Sequence, residues 1–402
     1  NLLAGPAMTR RSLYMYGDRL PRSATGLVDN GLGKAVAYGS IGLLPPTLLI
    51  GGHAEAHVLD GVPFVFHNMP GAEAPAELTF SLPAHKAFCG AELLSHTLHN
   101  LYTLRGAKVR DSLQWAAYLD EMLDLAADAE VLFNQHHWPV WGATNIRAFI
   151  TLQRDVYRYI HDQSVRLMNA GLNGAEIAEA LAMPPTLDRF LSGRGYYGTV
   201  RHNARAVYQR YMGWYDAHPA NLDVLPPQDV AGRYVALMGG PGATLAAAES
   251  AYEAGDYRWA AELLKHAVYA APDDAVARER LAQTFEQLGY QAEAASWRNA
   301  YLTGALELRV GPPEHGVTRD ILLDMLQHAP VERFLEAMAA ALNGPAAADE
   351  DLRINLVFRD LGTSYVLWIE NAVLHHRQAP PDPAADATLT LSHDFFLRMM
   401  TG

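Results

Sequence analysis

The sequence predicts a multidomain chain in three parts: an α/β segment, an all-helical segment and a small α+β segment. Three observations carry this. Over residues 1–150, strand and turn signals alternate with helical spacing. From about 148 to 300 the apolar spacing is helical almost throughout. Beyond residue 350, alternating strands return in "LRINLVF", "SYVLWIE" and "AVLHHRQ".

In chain order, "HVLDGVPFVFHNMPG" reads as two extended runs around Asp60-Gly61, a good hairpin turn. "AELTFSLP", "AHK" and "AFC" read as a strand, a turn and a short strand. "ELLSHTLHNLYTLRG" is expected to be helical, with Leu94, Leu98 and Leu101 on one face and Gly106 as its stop. "SLQWAAYLDEMLDLAAD" (112–128) predicts a second amphipathic helix. "NIRAFITLQRDVYRYIHDQSVRLMNAG" predicts one long helix closed by Gly171, and "NGAEIAEALAM" a short one stopped by Pro184-Pro185. In 242–303, Gly255 and Gly289 stand 34 residues apart, each followed within two positions by a Tyr. That period resembles tetratricopeptide repeats, here about one and a half of them. The last segment, 310–402, predicts a helix pair (318–328 and 331–342), then strands, a Pro-rich break (Pro380 to Pro383), "ATLTLS" and a helical "HDFFLRMM".

Composition narrows the function classes. Of 402 residues, 31 are basic and 44 acidic, a net charge of −13, and no basic block is longer than "TRR". Neutralising phosphates needs a clustered basic footprint, so nucleic-acid binding is not expected. No run of about 18 apolar residues predicts a membrane span. The single cysteine, Cys89, can form neither an intrachain disulfide nor a thiolate metal cluster.

Four stretches hold groups that could do chemistry. "PGAEAPAELTFSLPAHKAFCGAELLSHTLHN" places Glu73 and Glu77 before the strand pair and Glu92 after it, so the hairpin can bring Glu73 and Glu92 to one sheet edge. Pro75 argues against a helix through Glu73 and Glu77. A carboxylate site and solvated loops both fit this pattern. "FNQHHWPVWG" sets adjacent histidines in a Trp- and Pro-stiffened loop, which suits a metal ligand or a buried aromatic corner. In "HTLHNLYTLRG", Asn100 and Arg105 are polar groups among apolar ones, and Arg is suited to a forked grip on an oxyanion. An Arg near a helix end is also an ordinary partner of the helix dipole. "GRGYYGTVRHNARAVYQRYMGWYD" is rich in Arg, Tyr and His, and fits aromatic packing or a cover over a ligand.

Together, "EAPAE", "AFCGAE", "HTLHNLYTLRGAKVRD", "HHWPVWG", "QRDVYRYIHDQSVRLMNAG" and "YYGTVRHN" resemble, in order, the bacterial alkylsulfatases of the metallo-β-lactamase superfamily, enzymes that hydrolyse detergents such as dodecyl sulfate. The resemblance implies three domains. Residues 1–147 would be the C-terminal half of a metallo-β-lactamase-like αβ/βα catalytic domain. Residues 148–305 would be a helical dimerisation domain with TPR-like repeats, and 310–402 a sterol-carrier-protein-like domain. It also implies hydrolysis of alkyl sulfate esters to alcohol and inorganic sulfate by a water activated between two zinc ions. By motif, Glu73, Glu92 and His137 match metal ligands, with Glu92 bridging. Asn100 and Arg105 match the residues that hold the sulfate, and Tyr38, His202 and Tyr208 fall near pocket positions.

The remaining ligands, a His-x-His-x-Asp-His motif, occur nowhere in this chain and are expected upstream of Asn1; both ends look truncated. Leu93 stands where the family usually has Asn after the bridging glutamate. The implied partners are an alkyl sulfate and a second copy of the chain, and the implied compartment is periplasmic or extracellular. The alternative is a non-catalytic lipid- or detergent-binding protein that lacks a complete metal site.

Overall fold

The hairpin signal at Asp60-Gly61 folds as expected, with both residues at positive φ (49° and 80°). After α1 (Gly5–Tyr16), β1 (Ala54–Leu59) and β2 (Val62–Asn68) pair antiparallel across this turn. β3 (Leu78–Leu82) and β4 (Ala87–Cys89) continue the antiparallel order. β5 (Val131–Phe133) then pairs parallel with β4, and β6 (Val140–Trp141) closes the six-stranded sheet in sequence order. The structure, a computed structural model, describes residues 3–36, 39, 42–313 and 323–401.

The segment expected to be a helix over 92–106 is not one. Its backbone groups are claimed from outside. The Leu98 N–H donates to the Arg194 carbonyl at 2.8 Å, and the Leu98 carbonyl accepts from Gly198 at 2.8 Å. The Leu101 N–H donates to Asn203 Oδ1 at 2.9 Å, and the His99 N–H to the Tyr157 hydroxyl at 3.1 Å. Leu93, Leu94, Leu98 and Leu101 are all buried, so the leucines mark a segment enclosed on every side, not an amphipathic face.

The expected helix after it forms as α2 (Ser112–Leu125), capped by Asp111, whose side chain accepts from the N–H groups of Leu113 and Gln114. Trp115, Leu119 and Met122 give its buried stripe. α3 (Ala143–Asn169) is the predicted long helix, entered through Gly142 (φ 85°) and left through Gly171 (φ 94°). One apolar core joins β4, the 93–101 segment, α2 and α3, with Trp115 stacked on Tyr157 at 4.7 Å.

α4 (Gly174–Ala180), α5 (Pro185–Asp188) and α6 (Val200–Met212) follow, then α7 (Pro227–Leu237), α8 (Pro241–Glu253), α9 (Tyr257–Ala270), α10 (Ala275–Gln291) and α11 (Ala295–Val310). From α8 onward each helix packs on the next. The two glycines of the 34-residue spacing serve different ends. Gly255 (φ 77°) turns the chain between α8 and α9. Gly289 lies inside α10, where an added Cβ would meet Leu302 at 3.0 Å.

The chain divides into two compact units: Arg11–Val36 with Leu48–Pro312, and Asn1–Arg10, Ala37–Thr47 with Pro313–Gly402. The second carries a four-stranded sheet in which β7 (Arg353–Phe358), β8 (Thr363–Glu370), β9 (Val373–Gln378) and β10 (Ala387–Leu391) follow the order β10-β7-β8-β9, with β10 parallel to β7. It also contains α12 (Leu323–Leu326), α13 (Val331–Ala341) and α14 (His393–Thr401). Phe334, Phe358 and Phe396 meet edge-on in its core. Of the helix expected over 318–328, residues 318–322 lie outside the described residues and α12 occupies 323–326. No described helix is long and apolar enough to cross a membrane.

Candidate metal centre

Strand direction builds the site. β2 ends, β3 begins, and β4 and β5 end at one edge of the six-stranded sheet, because Asn68 is opposite Leu78, and Cys89 opposite Phe133. Glu73 follows β2, Glu77 precedes β3, Glu92 follows β4 and His136 follows β5, so all four emerge at that edge. Two local devices hold the turns. The Gly71 N–H donates to the Ala74 carbonyl at 2.8 Å, with Gly71 at φ 82°. The Gly90 N–H donates to the Phe133 carbonyl at 2.9 Å, and a Cβ on Gly90 would lie 2.6 Å from Asn134 Oδ1.

Glu73, Glu92 and His99 bring one ligand atom each to within 4.8 Å of one another. His99 Nε2 lies 3.1 Å from Glu92 Oε1 and 3.9 Å from Glu73 Oε1. The ring is buried between Trp115 and Tyr197, whose centroids are 5.4 and 5.0 Å away. Its Nδ1 faces the Asn100 carbonyl at 3.0 Å. Both ring nitrogens therefore face oxygens that can only accept, so the apex between imidazole and carboxylates needs a ring proton or a cation. A carboxylate–carboxylate–imidazole set suits zinc, and a ligand His whose other nitrogen meets a backbone carbonyl is the usual supporting arrangement. The residues present fit a metal ion.

Charges around the triad are uneven. Burial would raise the Glu92 pKa, but hydrogen bonds and charge from His136 and His99 outweigh it and hold the carboxyl well below the usual range. The same contact, His136 Nε2 to Glu92 Oε1 at 3.4 Å, raises the His136 pKa. Burial and the nearby His96 and His136 lower that of His137. Glu77 is buried, accepts from the Glu92 N–H at 3.4 Å, and is pushed up to about 7, by burial first and then by Glu73 and Glu92. Cys89 is buried beside it and its thiol is pushed up by burial.

The residues singled out from sequence distribute as follows. Glu73, Glu92 and Asn100 come together. His137 (φ 71°) turns its ring toward His96 and Trp138, and it is His136 that meets Glu92. Arg105 is half-buried on the turn after Asn100 and donates to the Gly106 carbonyl at 3.4 Å. His202 is held on α6 with Nε2 at 2.5 Å from the Tyr102 carbonyl, and Tyr208 packs on Gly174 of α4, so neither joins the triad. Tyr38 lies outside the described residues. His99 and Arg110 were not singled out. His99 could have been found as the His next to Asn100 in "HTLHN", whereas nothing local marks Arg110.

Comparison with known proteins decides the family. A linear primary-alkylsulfatase from a Pseudomonas strain is 34% identical over 411 residues, covering 100% of this chain and 77% of the relative. The chain belongs to the alkylsulfatase family. Another linear primary-alkylsulfatase, from Pseudomonas sp., is 44% identical, with 100% of this chain and 60% of the relative covered. The alkyl/aryl-sulfatase BDS1 of Saccharomyces cerevisiae is also 44% identical, with 98% and 61% covered. The solved structure of the stereoselective inverting sec-alkylsulfatase Pisa1 from Pseudomonas sp. superposes with a TM-score of 0.93 at 40% identity, covering 99% of this chain and 63% of that one. Two family models match: alkyl sulfatase dimerisation over 173–311 and alkyl sulfatase C-terminal over 321–402. This member thus has the alkylsulfatase fold with a helical dimerisation domain, and spans about three fifths of the length of the two relatives that are 44% identical.

Proposed function

We propose that the protein is a zinc-dependent alkylsulfatase that hydrolyses esters such as dodecyl sulfate to the alcohol and inorganic sulfate. The observation that carries this is the convergence of Glu73, Glu92 and His99, with Asn100 next in the chain, at one sheet edge of an alkylsulfatase-family chain. Glu73 and Glu92, with His99 beside them and His137 as the histidine matched by motif, would hold two zinc ions, the remaining ligands coming from a His-x-His-x-Asp-His motif on residues before Asn1. Bound there, the metal would supply a Lewis acid and a water ionised near neutral pH.

The chain's own residues do the rest. Glu92 is anionic across the working range, because its imidazole neighbours hold its proton affinity down. His136 keeps a proton on the nitrogen that faces Glu92 and so fixes that carboxylate. Asn100 and Arg105 would grip the sulfate oxygens, with Arg105 swinging inward from its turn, and offset the negative charge on the sulfate group during reaction. Residues 1–147 act as part of a metallo-β-lactamase-like domain. TPR-like helices mediate homodimer formation, supported by the exposed Trp214, Leu222 and Leu237 in the region that matches the dimerisation model. A sterol-carrier-like domain follows, and the protein works in the periplasm or outside the cell.

The test is release of sulfate from dodecyl sulfate by purified full-length protein, before and after metal stripping and for Glu92→Ala. The reading expects activity that disappears on stripping, returns with zinc and is absent in the variant. A metal-free full-length protein that binds dodecyl chains without cleaving them would favour the non-catalytic alternative. Hydrolysis in ¹⁸O-water, by showing whether label enters alcohol or sulfate, tells C–O from S–O cleavage.

A further inference from the structure

One side chain outside the triad touches two of the groups that the proposed reaction needs. Arg110 stands just before the α2 cap, and its N–H donates to the Leu101 carbonyl at 2.8 Å, which closes the loop after Asn100. Its guanidinium spends four contacts on two residues. Nε donates to the Glu73 carbonyl at 2.7 Å, and Nη2 to the Glu73 carboxylate. Nη1 donates to the Asn100 carbonyl at 3.0 Å and to its amide Oδ1 at 2.8 Å. The pair is enclosed, with side-chain exposures of 11% for Arg110 and 10% for Glu73.

We propose that Arg110 is a positioning residue that sets the anion-gripping amide of Asn100 and the metal-holding carboxylate of Glu73 in one fixed relation. This rests on the function proposed above. The amide end of Asn100 decides what it can bind. With Oδ1 engaged by Arg110, the NH₂ end of the amide is turned away from the guanidinium and stays a donor. An NH₂ group donates, which suits sulfate; a turned amide would present an oxygen and repel it. Glu73 is pinned at backbone and carboxylate together, so it cannot swing away from the triad without breaking both bonds. The Asn100 carbonyl that Arg110 grips also receives His99 Nδ1, so the third member of the triad leans on the same support. A lysine would keep the charge, but a single nitrogen on a flexible stem cannot span both partners.

The test measures two affinities in purified full-length protein: zinc by chelator competition, and inorganic sulfate on the zinc-loaded form by calorimetry. Arg110→Lys is expected to weaken both, each by about 10- to 100-fold, the usual cost of losing an outer partner of a metal ligand. Asn100→Ala, the reference, is expected to weaken sulfate and leave zinc unchanged. If Arg110→Lys fails to fold, Arg110→Gln carries the same comparison. Loss of only one affinity, or of neither, overturns the proposal. Both readouts are independent of turnover. An inactive wild type whose two affinities still fall together would sink the alkylsulfatase reading alone, and an active wild type whose affinities do not fall together would sink the role of Arg110 alone.

Discussion

Replacing Glu77 by Gln removes a buried titratable carboxyl while keeping its shape and its ability to accept the Glu92 N–H. In the folded protein, burial raises the Glu77 pKa from an ordinary 4.5 to about 7, with help from Glu73 and Glu92. A raised carboxyl means that the native state holds the proton more tightly than the unfolded one. Its contribution to stability is therefore full below about pH 4.5 and is lost as the pH climbs through about 7. At about 1.4 kcal/mol for each pH unit, the loss comes to about 3 kcal/mol. Glu77→Gln, which does not titrate, should match the wild type at about pH 4.5 and exceed it by about 3 kcal/mol at about pH 8. Urea denaturation of metal-stripped protein at several pH values, followed by circular dichroism, measures the difference. A gap that stays constant from about pH 5 to 8, or a wild type that gains on the variant as pH rises, would refute the assignment of a buried, protonated Glu77.

Three further outcomes follow from the packing. Gly198→Ala would drive a Cβ to 2.6 Å from the His99 carbonyl and 2.7 Å from the Asn100 N. It should cost about 1–3 kcal/mol in denaturation and weaken zinc retention, because the segment it displaces carries His99 and Asn100. Trp115→Ala removes a fully buried ring that stacks on Tyr157 and donates to the Leu93 carbonyl at 2.9 Å, and should cost about 3–5 kcal/mol in the same assay. Asp111→Ala strips the α2 cap and an ion pair to Arg210, so a loss of about 1 kcal/mol is expected, with zinc retention unchanged.

Legibility from sequence tracked the range of the forces. The hairpin at Asp60-Gly61, the stripe of Trp115, Leu119 and Met122, and the stop at Gly171 are written in nearest neighbours, and all appear where the pattern puts them. The leucine spacing of the 92–106 segment mimics a helix, while its hydrogen bonds go to Arg194, Gly198, Asn203 and the Tyr157 hydroxyl, all distant in sequence. The pairing of Glu73 with Glu92 was within reach, since one hairpin fixes it. Arg110 was not, because its contacts to Glu73 and Asn100 depend on how that same non-helical segment folds, and His99 is marked only by standing next to Asn100. Which histidine of the His136–His137 step faces Glu92 depends on a single positive φ at His137, a detail that residue types alone do not encode.

Anomalous diffraction at the zinc edge from crystals of the full-length protein tests the central claim most directly. A metal peak is expected about 2.0–2.2 Å from carboxylate oxygens of both Glu73 and Glu92, absent in Glu92→Ala. Zinc-grown crystals of an active enzyme with no peak between these two carboxylates would contradict it.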